Sequence, residues 1–217
     1  MQIKKLLLLS IVFFSVTVAH GQTAQTNDEL KKFIPKGFTE ETSVSGDINA
    51  DGIADKILIL SVDRQSYDSA ALSKILPDTF KQNDNLRPLL LLVRQRDSSL
   101  KQIARNDFVI EWSGIWVGGL PDPDPFTGDI KINNGQFSLD FQYKGGGEIC
   151  TVTVTFVYSK KESNWFLNEV SNDCASSSYD NEYGGYGKPT SSIKKTTKDF
   201  GKIKFTDYKG FDKILNN

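Results

Sequence analysis

The two cysteines of this chain, Cys150 and Cys174, flank a polar turn and constrain its folding more than any other feature. Residues 148–158 and 164–170 have the composition of β-strands and residues 159–163 carry the turn, so the pattern predicts a β-hairpin. If the turn centres near residue 162, Tyr158 lies opposite Phe166, Val154 opposite Val170, and Cys150 opposite Cys174. A disulfide is then expected in an oxidising compartment, with two buried free thiols as the alternative. A slip of one residue would place the thiols on opposite faces and exclude the bond.

Short strand patterns separated by turn residues recur along the chain. Asn133-Asn134-Gly135 and residues 95–99 are the clearest further turns, because Asn and Gly tolerate positive φ. Residues 26–34 and 68–76 read as short helices. We therefore predict a mainly β fold of antiparallel sheets with hairpins and one or two short helices. The predicted strands are 56–62, which is expected to be buried on both faces, 88–94, 100–105, 108–112, 129–132, 136–143 and 201–208.

The first 21 residues have the pattern of a secretory signal peptide. Lys4 and Lys5 precede an apolar run from Leu6 to Val18, and Ala19-His20-Gly21 provides a cleavage site. The apolar run is shorter than the roughly 20 residues that a spanning helix needs, so no membrane span is expected. We predict a mature protein that begins at Gln22, forms a single β-rich domain over residues 22–217, and is periplasmic or secreted.

Composition excludes several classes of function. The chain has one histidine, His20, which lies within the predicted signal peptide. The mature protein then has no imidazole for a Ser-His-Asp or Cys-His site or for a His-ligated zinc, and we predict no catalytic residues. The 26 Lys plus Arg nearly balance the 27 Asp plus Glu, so no binding to nucleic acid is expected.

Residues 47–55 carry the most informative motif, which reads D-x-N-x-D-G-x-x-D and leads directly into a predicted strand. Calcium takes six to eight oxygen ligands, and short oxygen-bearing side chains on alternate residues of a curled loop converge on one point. Gly52 permits the sharp turn, and the side chain of Ile53 is expected to point inward. The predicted calcium ligands are Asp47, Asn49, Asp51, the carbonyl of Ile53, and Asp55.

This motif differs from an EF-hand loop, because Leu58 occupies the twelfth position, where an EF-hand has a bidentate Glu. The alternative interpretation is a metal-free turn in which Asn and Asp side chains cap their own backbone.

Residues 46–60 resemble the calcium loop and following strand of FG-GAP or VCBS-type repeats, which build β-propeller blades in larger proteins. Residues 33–37 and 87–92 also resemble a group of small exported bacterial proteins of unassigned function that carry one such loop. The resemblance implies the same calcium ligands and a propeller-blade-like portion of the fold. A propeller typically needs four to eight blades, so a single loop argues against a complete propeller.

Two further segments are candidate binding regions. Asp122, Asp124 and Asp129 lie near Trp112 and Trp116, which is compatible with a second metal site or a sugar-binding platform, or with a rigid proline loop and core tryptophans. Residues 175–192, rich in Ser, Gly and Tyr, are predicted to form a mobile loop whose tyrosines 179, 183 and 186 could contact a partner.

These features favour an exported calcium-binding β protein that acts as a binding or interaction module, with an unidentified protein or glycan as partner. One alternative is an inhibitor of a secreted enzyme that acts through the 175–192 loop. Another is a polysaccharide-active enzyme that uses the carboxylates of Glu111, Asp122 and Asp124.

Overall fold

A computed structural model describes residues 28–62, 87–110, 116–117, 120–121, 128–145, 147–180 and 185–215. Most of these residues are in strands, as predicted. The strands are β1 (Phe38–Gly46), β2 (Asp55–Val62), β3 (Leu89–Arg94), β4 (Leu100–Asn106), β5 (Trp116–Val117), β6 (Leu120–Pro121), β7 (Asp129–Asn133), β8 (Gln136–Gly145), β9 (Glu148–Ser159), β10 (Asn164–Ser176), β11 (Tyr179–Asp180), β12 (Gly185–Tyr186) and β13 (Pro189–Thr196). The helices are α1 (Asp28–Lys31), α2 (Thr197–Phe200) and α3 (Asp212–Leu215), and Phe205–Asp207 forms a 3-10 turn.

The strands form two main antiparallel sheets. The first has four strands in the order β1-β2-β3-β4, and the second has five in the order β13-β10-β9-β8-β7. The first sheet has the strand number and sequential order of one propeller blade. Within the described ranges there is neither a closed barrel nor a complete propeller, which agrees with the predicted fold class. No helix in these ranges is long and apolar enough to cross a bilayer.

The two central strands of the first sheet, β2 and β3, are buried on both faces, which explains the continuous apolar run of β2. Ile57 and Ile59 point into the core shared with the second sheet. Leu58 and Leu60 point the other way and pack against Leu30 of α1 and the partly buried residues that follow that helix. The prediction that this strand is covered on both sides is confirmed.

The space between the sheets is filled by side chains from both sheets and from the C-terminal segment, residues 200–215. Phe156 of β9 meets the ring of Phe205 at 5.2 Å and that of Tyr208 at 5.5 Å between centroids, edge to face in both cases. The buried side chain of Asn106 at the end of β4 donates hydrogen bonds from Nδ2 to the carbonyls of Phe205 and Tyr208. The C-terminal segment thus joins the last strand of the first sheet to the inner face of the second.

The hairpin β9–β10 carries the predicted disulfide, and its register contains a bulge. Beside the turn, Tyr158 lies opposite Trp165 rather than the predicted Phe166. Asn168 is an extra residue in β10, and beyond it the pairing shifts by one, which places Val154 opposite Val170 and Cys150 opposite Cys174. The two sulfurs are bonded. The predicted pairing is therefore correct at the cysteines and wrong at the turn.

The structure corrects the predicted last strand. Residues 201–208 form no strand; Lys204 makes an isolated bridge to Phe166, and a 3-10 turn follows. Phe205 and Tyr208, three positions apart, are both buried and both contact the ring of Phe156. The last strand is β13, at the edge of the second sheet.

Other boundaries also differ from the prediction. β10 extends to Ser176 and β13 begins at Pro189, so the predicted loop 175–192 is limited to the connection between them, which includes the paired β11 and β12. Residues 107–110 bend rather than extend, since Val109 and Ile110 turn into the core. α1 is shorter than the predicted 26–34 helix, and β1 was not predicted. The predicted signal peptide and the helix at 68–76 lie outside the described residues.

Candidate metal centre

The predicted calcium loop is the connection of the β1–β2 hairpin. Gly46 pairs with Asp55, so residues 47–54 project from the end of the first sheet. Ala50 and Gly52 have φ of 58° and 86°, the left-handed conformations that allow so short a connection to curl. The hairpin thereby brings both ends of the motif together.

Asp47 organises the interior of this loop. Its Oδ1 accepts hydrogen bonds from the backbone N–H of Asn49 at 3.3 Å and of Asp51 at 3.2 Å, and its Oδ2 accepts from Gly52 at 2.9 Å. Asn49 Oδ1 accepts from the Asp51 amide at 3.0 Å, and Asp51 Oδ1 accepts from the Ile53 amide at 2.8 Å. The three polar side chains at alternate positions therefore cap backbone amides of their own loop, which is the behaviour that the alternative, metal-free interpretation describes.

Asp55 has a different environment from the other acidic residues of the loop. Its side chain is fully buried, and its two oxygens accept hydrogen bonds from the Ile48 amide at 3.1 Å and the Arg94 amide at 2.8 Å. Burial raises the pKa of Asp55 above its ordinary value, and the negative charges of Asp51 and Asp47 raise it further. A carboxylate has about four acceptor positions, so each oxygen keeps capacity for a further ligand.

The chemistry of the donors fits a calcium ion, because the loop offers carboxylate, amide and carbonyl oxygens and no sulfur or imidazole. Asn49 Nδ2 also donates to Asp51 Oδ2 at 3.0 Å, which links the two more exposed side chains. The carboxylate oxygens of Asp47, Asp51 and Asp55 do not all lie within 4.8 Å of one another. Backbone N–H groups donate to oxygens of all three carboxylates.

In the described part of the chain, one group of potential ligand atoms does lie within 4.8 Å of one another, and it is outside the loop. It consists of Glu148, Cys150 and Cys174. Because the two sulfurs are joined in the disulfide, they are not available as thiolate ligands. This group is therefore not a metal site.

The backbone of the loop is held against the second sheet. Ile48 is fully buried in the shared core, and its carbonyl accepts a hydrogen bond from Trp165 Nε1 at 2.7 Å. The Asp47 carbonyl accepts from the Gly135 amide in the β7–β8 turn at 2.9 Å. Ile48, rather than the predicted Ile53, is thus the inward apolar residue of the loop, since Ile53 is only half-buried.

Arg94, at the end of β3, connects the loop to two distant segments. Its Nε donates to the Ala54 carbonyl at 3.2 Å, and its Nη1 donates to the Ser98 carbonyl at 2.6 Å. Nη1 and Nη2 also bind the carboxylate of Glu29 in α1 at 2.8 and 3.1 Å, and this ion pair lowers the pKa of Glu29. Sequence reasoning missed Arg94, because Glu29 and Arg94 are 65 positions apart and no local pattern relates them.

The second acidic cluster is not brought together among the described residues. Asp129 is exposed on β7, where the nearest described cation is Lys131, 3.7 Å away. Glu111, Trp112, Asp122, Asp124 and Tyr183 lie outside the described residues, and only the backbone is described for Trp116, Tyr179 and Tyr186. The predictions made for this cluster and for these tyrosines stay predictions.

Comparison of the chain with family models, with curated proteins and with solved structures finds no match.

Proposed function

We propose that the protein is an exported calcium-binding β protein, with an FG-GAP or VCBS-type loop at residues 47–55, that acts as a binding or interaction module. The observation that carries this proposal is that Asp47, Asn49 and Asp51 stand at alternate positions of one curled hairpin connection, which the buried carboxylate of Asp55 closes. The proposed ligands are the side-chain oxygens of these residues and the carbonyl of Ile53.

The electrostatics of the loop favour a cation. Three carboxylates lie in one short hairpin connection; burial is the main cause of the raised pKa of Asp55, and the charges of Asp51 and Asp47 act in the same direction with smaller effect. Like charges at close range destabilise one another, and a divalent cation among them would reverse that effect. The hydrogen bonds from the Arg94 and Ile48 backbone N–H groups act in the opposite direction and lower the pKa of Asp55.

The proposed role of the ion is structural. Through Ile48 and Asp47 the loop contacts Trp165 and Gly135 of the second sheet, so it joins the two sheets at one end of the molecule. An ion that stiffens the loop would also stiffen this junction. The protein would then present its surfaces to a protein or glycan partner on a rigid scaffold.

The proposed location is the periplasm or the extracellular space. The pattern of residues 1–21 and the Cys150–Cys174 disulfide both support it, because disulfides persist in oxidising compartments. Extracellular calcium modules commonly bind at about 10⁻⁴ to 10⁻³ M, which sets the concentration range to test.

Thermal unfolding of purified residues 22–217 in EGTA and across a calcium series tests the calcium site. A ligand that binds only the folded state stabilises it by about 2.7 kcal/mol at a hundredfold excess over Kd, so the midpoint is expected to rise with calcium. Asp51→Ala removes one proposed ligand and is expected to weaken or abolish this rise.

Asp97→Ala is the matched control for this experiment. Asp97 is also an exposed turn aspartate that caps a nearby backbone amide, that of Ser99 at 3.0 Å, but it lies in the β3–β4 turn. The calcium response of this variant is expected to match that of the wild type. The highest calcium concentration is about 10⁻² M, above the binding range of such modules. The proposal is refuted if the wild-type midpoint there is the same as in EGTA.

A further inference from the structure

We infer that Arg94 is a positioning residue for the calcium loop and that its ion pair with Glu29 couples the loop to the N-terminal segment, residues 28–38. The inference rests on the proposed function, since it concerns the same loop. It assigns a role to two residues that are not themselves proposed ligands.

The contacts of Arg94 carry the inference. Its backbone N–H binds Asp55 Oδ1 and its side-chain Nε binds the Ala54 carbonyl, so one residue holds two consecutive positions at the end of the loop. The proposed carbonyl ligand, Ile53, precedes these positions directly. The orientation of the last turn of the loop therefore depends on where the Arg94 guanidinium lies.

Glu29 determines that position from outside the loop. The two nitrogens of the guanidinium fork bind the two oxygens of its carboxylate, and such a bidentate pair fixes the plane of the guanidinium group as well as its distance. The side chains of Arg94 and Glu29 are 23% and 30% exposed, so the pair is partly shielded from solvent. The Ser98 carbonyl binds the same fork from the β3–β4 turn.

The segment that carries Glu29 covers the outer face of the first sheet. Leu30 is fully buried there against Leu58 and Leu60, with Phe33 and Ile34 packed around it. If an ordered calcium loop favours the position in which Arg94 binds Glu29, it also favours the packing of residues 28–38 against the outer face of the first sheet. By linkage the effect is reciprocal, so the docked segment raises the affinity of the loop for calcium.

The test uses purified residues 22–217 and calcium alone as the ligand. Calcium affinity is measured by titration calorimetry for the wild type, Glu29→Gln and Asp28→Asn, and amide hydrogen exchange of residues 28–38 is measured with and without calcium. Asp28→Asn is the matched control: it removes one charge from the same turn of α1 and breaks the exposed pair with Lys31, but it leaves Arg94 untouched.

We expect Glu29→Gln to bind calcium about fivefold more weakly than the wild type, at the lower end of typical couplings, and Asp28→Asn to bind as the wild type does. Calcium is expected to slow exchange over residues 28–38 in the wild type but not in Glu29→Gln. A role in stability alone would lower the unfolding midpoint of Glu29→Gln and leave the calcium Kd unchanged.

Two results would overturn the inference and are distinguishable. Equal calcium affinity in all three proteins, with exchange unaffected by calcium, would reject the coupling and leave the calcium site standing. No binding of calcium to the wild type would reject the proposed function, and the coupling with it.

Discussion

The aspartates of residues 47–55 are all predicted calcium ligands, but their burial and their hydrogen-bond partners differ in the structure. Asp51 is exposed and its side chain accepts hydrogen bonds from Asn49 and Ile53 of the same loop, whereas Asp55 is fully buried and accepts hydrogen bonds from Ile48 and from Arg94 on another strand. The spacing of the motif identified both as candidate ligands. The spacing did not reveal that Asp55 also stabilises the fold, because its second hydrogen-bond donor, the Arg94 amide, lies in β3.

Asp55→Ala is expected to destabilise the protein even without metal. The substitution leaves the backbone N–H groups of Ile48 and Arg94 without their acceptor, and an unsatisfied buried donor costs about 1–3 kcal/mol. We expect a loss of about 3 kcal/mol in the free energy of unfolding, measured with urea in EGTA. Asp51→Ala, measured beside it, is expected to cost less than about 1 kcal/mol, as is usual for exposed positions. Equal losses in the two variants would contradict this division of roles.

Among the elements, the β9–β10 hairpin shows how far local sequence reasoning reaches. The strands, the turn and the facing cysteines follow from composition and from counting outward from the turn. The count succeeds at the disulfide only because Asn168 bulges out and shifts the register by one beyond it. A bulge has no reliable local signature, so the pairing next to the turn was predicted wrongly.

Removal of both cysteines is expected to destabilise the hairpin through the unfolded chain. The bond closes a loop between positions that are 24 residues apart, which corresponds to about 3 kcal/mol. Urea unfolding of Cys150→Ala/Cys174→Ala under oxidising conditions is expected to show a loss of this size. Reductant should destabilise the wild type but leave the double variant unchanged. A double variant as stable as the oxidised wild type would show that the crosslink contributes nothing.

At the scale of the whole molecule, two connections within the described ranges join the sheets away from the hairpins. The calcium loop joins them through Ile48 and Trp165. The C-terminal segment joins them elsewhere, where Phe205 and Tyr208 enter the core and Asn106 binds their carbonyls. Each connection combines hydrogen bonds with large buried side chains.

Asn106→Ala is expected to loosen the C-terminal segment selectively. The variant removes the donor for two carbonyls and the acceptor for the Phe108 amide, which lies at 2.7 Å, so a cost of about 2–4 kcal/mol is expected from the groups left unpaired. Amide exchange of residues 203–215 should increase more than that of β9 and β10. Gln102→Ala, at an exposed position on the same strand, should have little effect on either region. Uniform acceleration of exchange across the protein would show that the segment does not open on its own.

Local sequence predicts the mainly β class, the β3–β4, β7–β8 and β9–β10 hairpins, the disulfide partners and the oxygen-rich loop. These features depend on side-chain periodicity, on residues that tolerate positive φ, and on spacing along one stretch of chain. Tertiary structure alone decided β1, the edge strand β13, the burial of Asp55, and the Glu29–Arg94 pair. β1 and β13 are polar and acquire their strand conformation from their neighbours, and the other features join residues that are far apart in sequence. Contacts of that kind form only when the sheets pack together, and no local pattern encodes them.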